Sequence, residues 1–178
     1  MPTPIHKLAV TYESQLDNAS GEGWRECFSS SCAMLAIYNG KVNNDNEYNQ
    51  IRRQFGDTTD PRTQINTLKK LGLSVAYSTT GTRDALACEI FKNRPVAVGW
   101  LHKGPASSPR GGGHWSVVVG INGPKGVFMH DPYGEADLVN GGYLANTDGS
   151  YLSYSWKNWG PRWEVEGPGT GWMVTARA

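Results

Sequence analysis

The chain lacks any apolar run near the roughly 18–20 residues that a helix needs to cross a bilayer. Its opening, Met1-Pro2-Thr3-Pro4-Ile5-His6-Lys7, has no apolar core of a secretory signal, so synthesis in the cytoplasm of the producing cell is expected. Net charge is scarce too. Seventeen basic residues offset sixteen acidic ones, which leaves no electrostatic footprint for nucleic acid or an anionic lipid surface. Cysteine is rare and odd in number: Cys27, Cys32 and Cys88 form no CxxC pair and no disulfide ladder. Cys27 and Cys32 fall on one expected helix and point to different sides, so free thiols in a reducing compartment are expected. No His/Cys/Asp cluster has metal-ligand spacing, and neither a metal nor another cofactor is expected. Internal repeats and coiled-coil heptads are missing as well.

Glycine, proline and tryptophan are well represented, with 22, 10 and 7 copies. They indicate a loop-rich protein with aromatic anchors, suited to holding an extended peptide or polymer. At 178 residues, 38% of them hydrophobic and 19% charged, the chain is expected to fold as one soluble domain over residues 1–178 and to act as a monomer.

Residues 1–26 read as irregular. From Cys27 the text becomes Phe28-Ser29-Ser30-Ser31-Cys32-Ala33-Met34-Leu35-Ala36-Ile37-Tyr38, closed by Asn39-Gly40, which predicts a helix buried at the centre of the domain. A second helix is expected over Glu47–Phe55. A third starts at the Asp60 cap with Pro61 in its first turn, and a fourth follows the Thr82 cap. A short strand is expected between the last two, at Leu73–Tyr77. The second half changes period: Pro95–Leu101, His114–Ile121, Gly126–Met129 and Gly171–Ala176 are β-branched, apolar runs of strand length. Lys103–Gly113 is a Gly/Ser/Pro-rich loop of the kind that is usually mobile. Residues 140–168 show no period. Helices first and strands later predict an α+β fold with an antiparallel sheet.

Chemistry concentrates at a few positions. Cys27 opens the buried helix, where unsatisfied amide N–H groups and the helix dipole favour a thiolate. A small buried hydrophobe is the ordinary role of a lone cysteine, and Cys32 and Cys88 keep that reading. His114 follows Gly111-Gly112-Gly113 at the first position of an apolar strand, at the rim of the sheet; His6, His102 and His130 are weaker candidates. Asp131 lies where the next strand breaks into a turn. A hairpin around Asn122-Gly123-Pro124 sets Asp131 beside His114, where a carboxylate fixes the imidazole tautomer. Gln15, upstream, can add a side-chain donor to the Cys27 amide for an oxyanion.

In that order, Ser14-Gln15-Leu16-Asp17-Asn18, the Cys27 helix with Ala33-Met34, Gly112-Gly113-His114-Trp115 and Asp131-Pro132 resemble the bacteriocin double-glycine leader peptidases. The closer resemblance is to their stand-alone C39-like branch in the papain-like superfamily. The resemblance spans residues 12–134. It implies a papain-like cysteine peptidase with Cys27 as nucleophile, His114 as base, Asp131 as orienter and Gln15 in the oxyanion hole. Two departures are visible: Phe28-Ser29 stands where the family has Gly-Pro, and Ala19–Glu26 lengthens the interval from Gln15 to Cys27. The tail, with Trp156, Trp159, Trp163 and Trp172, is similar to endings of bacteriophage-encoded members, some of them endolysins. This implies peptidoglycan peptides as substrate and the bacterial cell wall as site of action. Trp24 and Trp115 are the expected substrate-binding residues, with the 103–113 loop and the tail tryptophans as further groove walls. An amidase, a transglutaminase-type acyl transfer and a non-enzymatic phage structural module are the alternatives.

Overall fold

The computed structural model describes residues 3–178. Four helices precede most of the sheet: α1 (Cys27–Tyr38), α2 (Asp45–Arg52), α3 (Pro61–Lys70) and α4 (Arg83–Phe91). In α1 every residue from Phe28 to Ala36 is buried, as its almost unbroken apolar text requires. The later three carry side-chain caps. Asn44 accepts from the Glu47 N–H at 2.9 Å, Asp60 from Arg62 at 2.9 Å and Thr82 from Ala85 at 3.0 Å. Such caps contribute about 1 kcal/mol each. The Asn44 cap also explains why α2 begins ahead of the expected Glu47; the helix stops at Arg52 rather than Phe55.

Seven strands follow the expected plan and extend it: β1 (Ile5–Lys7), β2 (Ser74–Gly81), β3 (Val96–Trp100), β4 (His114–Asn122), β5 (Gly126–His130), β6 (Leu152–Ser155) and β7 (Gly171–Arg177). Their order is β2-β7-β3-β4-β5-β6, with β1 added beside the far end of β4, and the pairings are antiparallel. The fold is α+β as expected, with α1 packed on β3 and β4. Val96–Trp100 and His114–Ile121 are wholly buried, which is why they read as continuous apolar runs instead of alternating ones.

Two expectations are corrected. The first 26 residues are not irregular throughout: β1 pairs Ile5 with Asn122 and Lys7 with Gly120. Three residues are too few for an alternation to show. The approach is close, since a Cβ on Gly120 would meet the His6 carbonyl at 2.6 Å. Of the tail tryptophans, Trp159 and Trp163 are core and not groove walls, Trp156 packs partly buried against that core, and Trp172 is half-exposed. Trp159 and Trp163 are solvent-free and stack at 5.3 Å, flanking the short helix α5 (Gly160–Trp163). Trp156 lies under the Arg83 guanidinium at 4.4 Å.

Candidate active site

Cys27 is the first residue of α1 and is partly exposed. Glu26, at the N-cap, makes no side-chain hydrogen bond to the first-turn amides, which leaves them to face an incoming charge. Cys32 is solvent-free, and burial pushes its thiol well above the ordinary range. Cys88 lies exposed on α4.

Across from the thiol, the β4–β5 hairpin brings His114 and Asp131 together as its register demands, with Val117 opposite His130. The His114 Nε2 lies 2.8 Å from Asp131 Oδ1. Asp131 is fully buried and accepts three further bonds: from the Tyr133 N–H at 3.1 Å, Tyr154 Oη at 3.0 Å and Tyr143 Oη at 3.1 Å. Burial, then the Asp131 charge, pushes both phenols well above their ordinary range, so they stay protonated donors.

With Nε2 committed to Asp131, the other ring nitrogen of His114 is left for Cys27, whose thiol lies close enough to perturb the imidazole. Burial alone disfavours the imidazolium. The Asp131 charge and hydrogen bond, followed by Cys27, outweigh it and raise the His114 pKa to about 10. His102 lies 5.6 Å from His114 between ring centres. Burial first, then the His114 charge, lowers its pKa to about 4, so one imidazole of the two carries charge near neutrality. His130 is structural: it reaches the Val10 carbonyl at 2.8 Å and accepts the Tyr151 N–H at 3.0 Å. His6 meets Asn93 at the surface.

Gln15 is buried in a short 3-10 turn and donates from Nε2 to the Gly23 carbonyl at 2.8 Å. Gly23 packs so closely on the Gln15 carbonyl that a Cβ there has no room. The extra residues between Gln15 and Cys27 thus loop out and return, and Gln15 rests against the turn that leads into α1. That turn also presents Trp24, which is 71% exposed. Trp115 is 9% exposed and stacks on Phe28 at 3.8 Å, so it lies beneath the site rather than on a wall. Beneath Cys27 sits a buried polar group. Glu26 Oε2 accepts from Asn18 at 2.6 Å and Ser20 at 3.0 Å, Arg52 stands 3.6 Å from its other oxygen, and Ser30 donates to Asp45 at 2.7 Å. Burial, and then Asp45, raise the Glu13 pKa to about 7; burial raises Asp45 too.

Sequence reasoning missed Tyr143, Tyr154 and the clasped state of the 103–113 loop. That loop closes on itself, with Lys103 and Arg110 exchanging backbone bonds of 2.9 and 2.8 Å. The missed tyrosines lie in the stretch without period, and Gly141-Gly142 ahead of Tyr143 was the one local sign of a tight approach.

Residues 4–139 match the family described as papain-like cysteine protease AvrRpt2. Solved structures share the fold. A Bacillus anthracis protein described as a C39-like peptidase superposes with a TM-score of 0.61 at 13% identity, over 98% of each chain. The peptidase domain of Streptococcus ComA, a bi-functional ABC transporter of a quorum-sensing pathway, gives 0.59 at 16% identity over 93% of this chain and 96% of that one. A double-glycine-motif protease from an AMS/PCAT transporter, in complex with a leader peptide, gives 0.57 at 15% over 99% and 98%. No curated protein matches the chain.

Proposed function

The chain belongs to the family of the papain-like cysteine protease AvrRpt2, and from that membership we propose that it cleaves peptide bonds with Cys27, His114 and Asp131 as its triad. The observation that supports the assignment best is the His114 ring itself. One nitrogen is 2.8 Å from the buried Asp131, and Cys27, at the start of α1, neighbours the ring closely enough to help raise its pKa. A histidine whose pKa is raised to about 10 holds a proton at neutral pH, which favours a thiolate–imidazolium pair.

The Cys27 thiolate attacks the scissile carbonyl, and the carbonyl electrons move onto oxygen. The Cys27 amide and the second N–H of the Gln15 amide stabilise that oxyanion; the first N–H is held by Gly23. As the tetrahedral centre collapses, His114 gives its proton to the leaving amine. It then takes one from the water that hydrolyses the thioester, and returns to the imidazolium state with Cys27 free again. Asp131 keeps the ring aligned through both steps. All four groups come from one copy of the chain, so the acting unit in this proposal is a monomeric domain spanning residues 1–178. Iodoacetamide should label Cys27 well ahead of Cys32 and Cys88, and Cys27→Ala should abolish cleavage. Equal labelling with full activity in the variant would refute the assignment.

For the substrate we take the stem or bridge peptides of bacterial peptidoglycan, as in a phage endolysin acting at the cell wall. The support is Trp24, a largely exposed ring three residues from the nucleophile, of the kind that stacks on a glycan–peptide polymer. The likeness to a protease solved with a leader peptide favours a second reading, cleavage of a double-glycine leader. Purified peptidoglycan and a synthetic double-glycine precursor, digested in parallel and read by mass spectrometry, separate the two. New amino termini inside the stem or bridge peptides of the wall alone support the first, and cleavage of the precursor alone replaces it with the second. An amidase would instead free the lactyl carboxylate together with the amino terminus of the first stem residue, with the peptide bonds within stem and bridge intact.

A further inference from the structure

Arg162 has no part in the scheme above, although it is among the most buried side chains of the molecule. A guanidinium has five N–H bonds to give, and here all are given to main-chain carbonyls. Nε donates to Leu138 at 3.0 Å. Nη1 donates to Leu101 and Lys103, both at 3.2 Å, and Nη2 to Gly104 at 2.7 Å and Leu138 at 2.8 Å. The acceptors belong to two separate segments, 101–104 and 138. Arg162 therefore joins them more firmly than any apolar residue of its size would. Backbone contacts continue the joint: Gly142 N–H to the His102 carbonyl at 2.7 Å, and Ala106 N–H to Val139 at 3.0 Å. Gly141 lies so tightly on Gly104 that a Cβ would collide with it.

Each segment delivers one ring to the active site. The first ends β3 and places His102 beside His114; the second runs into Tyr143, whose hydroxyl donates to both Asp131 oxygens, at 3.1 and 3.3 Å. The Tyr143 ring also meets the His114 edge at 5.3 Å. We infer that Arg162 is a positioning residue of the active site, which sets Tyr143 and His102 against the Asp131–His114 pair by clamping the two segments that carry them. The inference rests on the proposed roles of His114 and Asp131.

The test is an NMR titration of the His114 imidazole in the full chain, together with the pH profile of kcat/KM, for Arg162→Lys, Tyr143→Phe, Gly141→Ala and the Arg162→Lys/Tyr143→Phe pair. Loosening Asp131 lowers the His114 pKa, by about one unit in each single variant, and moves the alkaline limb equally. The fall in rate should lie in kcat more than in KM. The double variant should show no more than the larger single shift, because both changes break one chain of contacts. A lower melting temperature with an unmoved titration, or additive shifts, would reduce Arg162 to a structural role. Should Arg162→Lys not fold, Gly141→Ala and Tyr143→Phe interrogate the same joint, and an unmoved His114 in both overturns the inference. The titration needs no substrate, so absence of peptidase activity in the wild type would refute the catalytic reading and leave this result standing.

Discussion

On the wall that carries Cys27, carboxylates do the fastening; on the wall that carries His114 and Asp131, neutral donors do. Glu26 and Asp45 hold the start of α1 through Asn18, Ser20, Ser30 and Arg52, and Glu13 backs Asp45 by accepting its main-chain N–H at 3.3 Å. Asp131 is instead surrounded by two phenols, a main-chain N–H and the imidazole. Carboxylates packed together repel one another when all are charged, and burial adds to that cost, so the thiol wall responds to protons at mild pH. Phenols and amides do not ionise there. The base wall holds its geometry until His114 itself loses its proton, near pH 10. The two halves of the proposed catalytic set are thus sensitive in different pH ranges.

The largest effect that tests this contrast is Asp131→Asn. It removes the charge that holds His114 protonated while leaving the hairpin in place. Activity should fall on the order of a thousandfold or more. The alkaline limb of kcat/KM should move to lower pH, toward the ordinary histidine range; a limb left near pH 10 would mean another group sets it. Stability follows the same sign. A histidine whose folded pKa is raised stabilises fully below its unfolded value, and that contribution fades as pH climbs through about 10.

A smaller effect is expected on the other wall. Glu13 has its folded pKa raised from 4.5 to about 7, so the native state prefers it protonated. Its linkage contribution is present at pH below 4.5 and is lost as pH rises through about 7. Glu13→Gln should flatten the melting-temperature profile across that window and raise the melting point at pH 8. The gain should be about 2–4 °C, discounted because the side chain is partly exposed. An unchanged slope would dissociate Glu13 from the thiol wall. The smallest effect sought is at the rim: Trp24→Ala should raise KM roughly fivefold, about 1 kcal/mol, with kcat retained. A drop in kcat alone would place Trp24 in the support of the α1 start instead of in substrate contact.

Much of this was legible in the residues. The three members of the proposed set are legible because each sits at a boundary that has a sign: a helix start for Cys27, a glycine loop before a strand for His114, and a strand end for Asp131. The hairpin then supplied the one long-range contact that could be deduced from order alone. Tyr143, Tyr154 and Arg162 had no such sign. They lie in a stretch held by backbone carbonyls and aromatic stacking, which imposes no period on the text. Their partners are fixed by tertiary contact, as with Tyr12, whose hydroxyl reaches the Asp131 carbonyl at 2.8 Å from the far end of the chain. Gln15 fell between these cases: its neighbour Gly23 was visible, but not the loop closure that joins them.

The β4–β5 hairpin has a consequence for the order in which the molecule comes into being. It joins His114 to Asp131 through a short local loop, a contact that closes early and independently of the rest. Cys27 is made long before either partner, and must wait for the helical half to dock on the finished sheet. During synthesis from the N-terminus the thiol therefore emerges without its base. Under the proposed roles, cutting power arises only when the domain is assembled, and a nascent chain does not digest its neighbours.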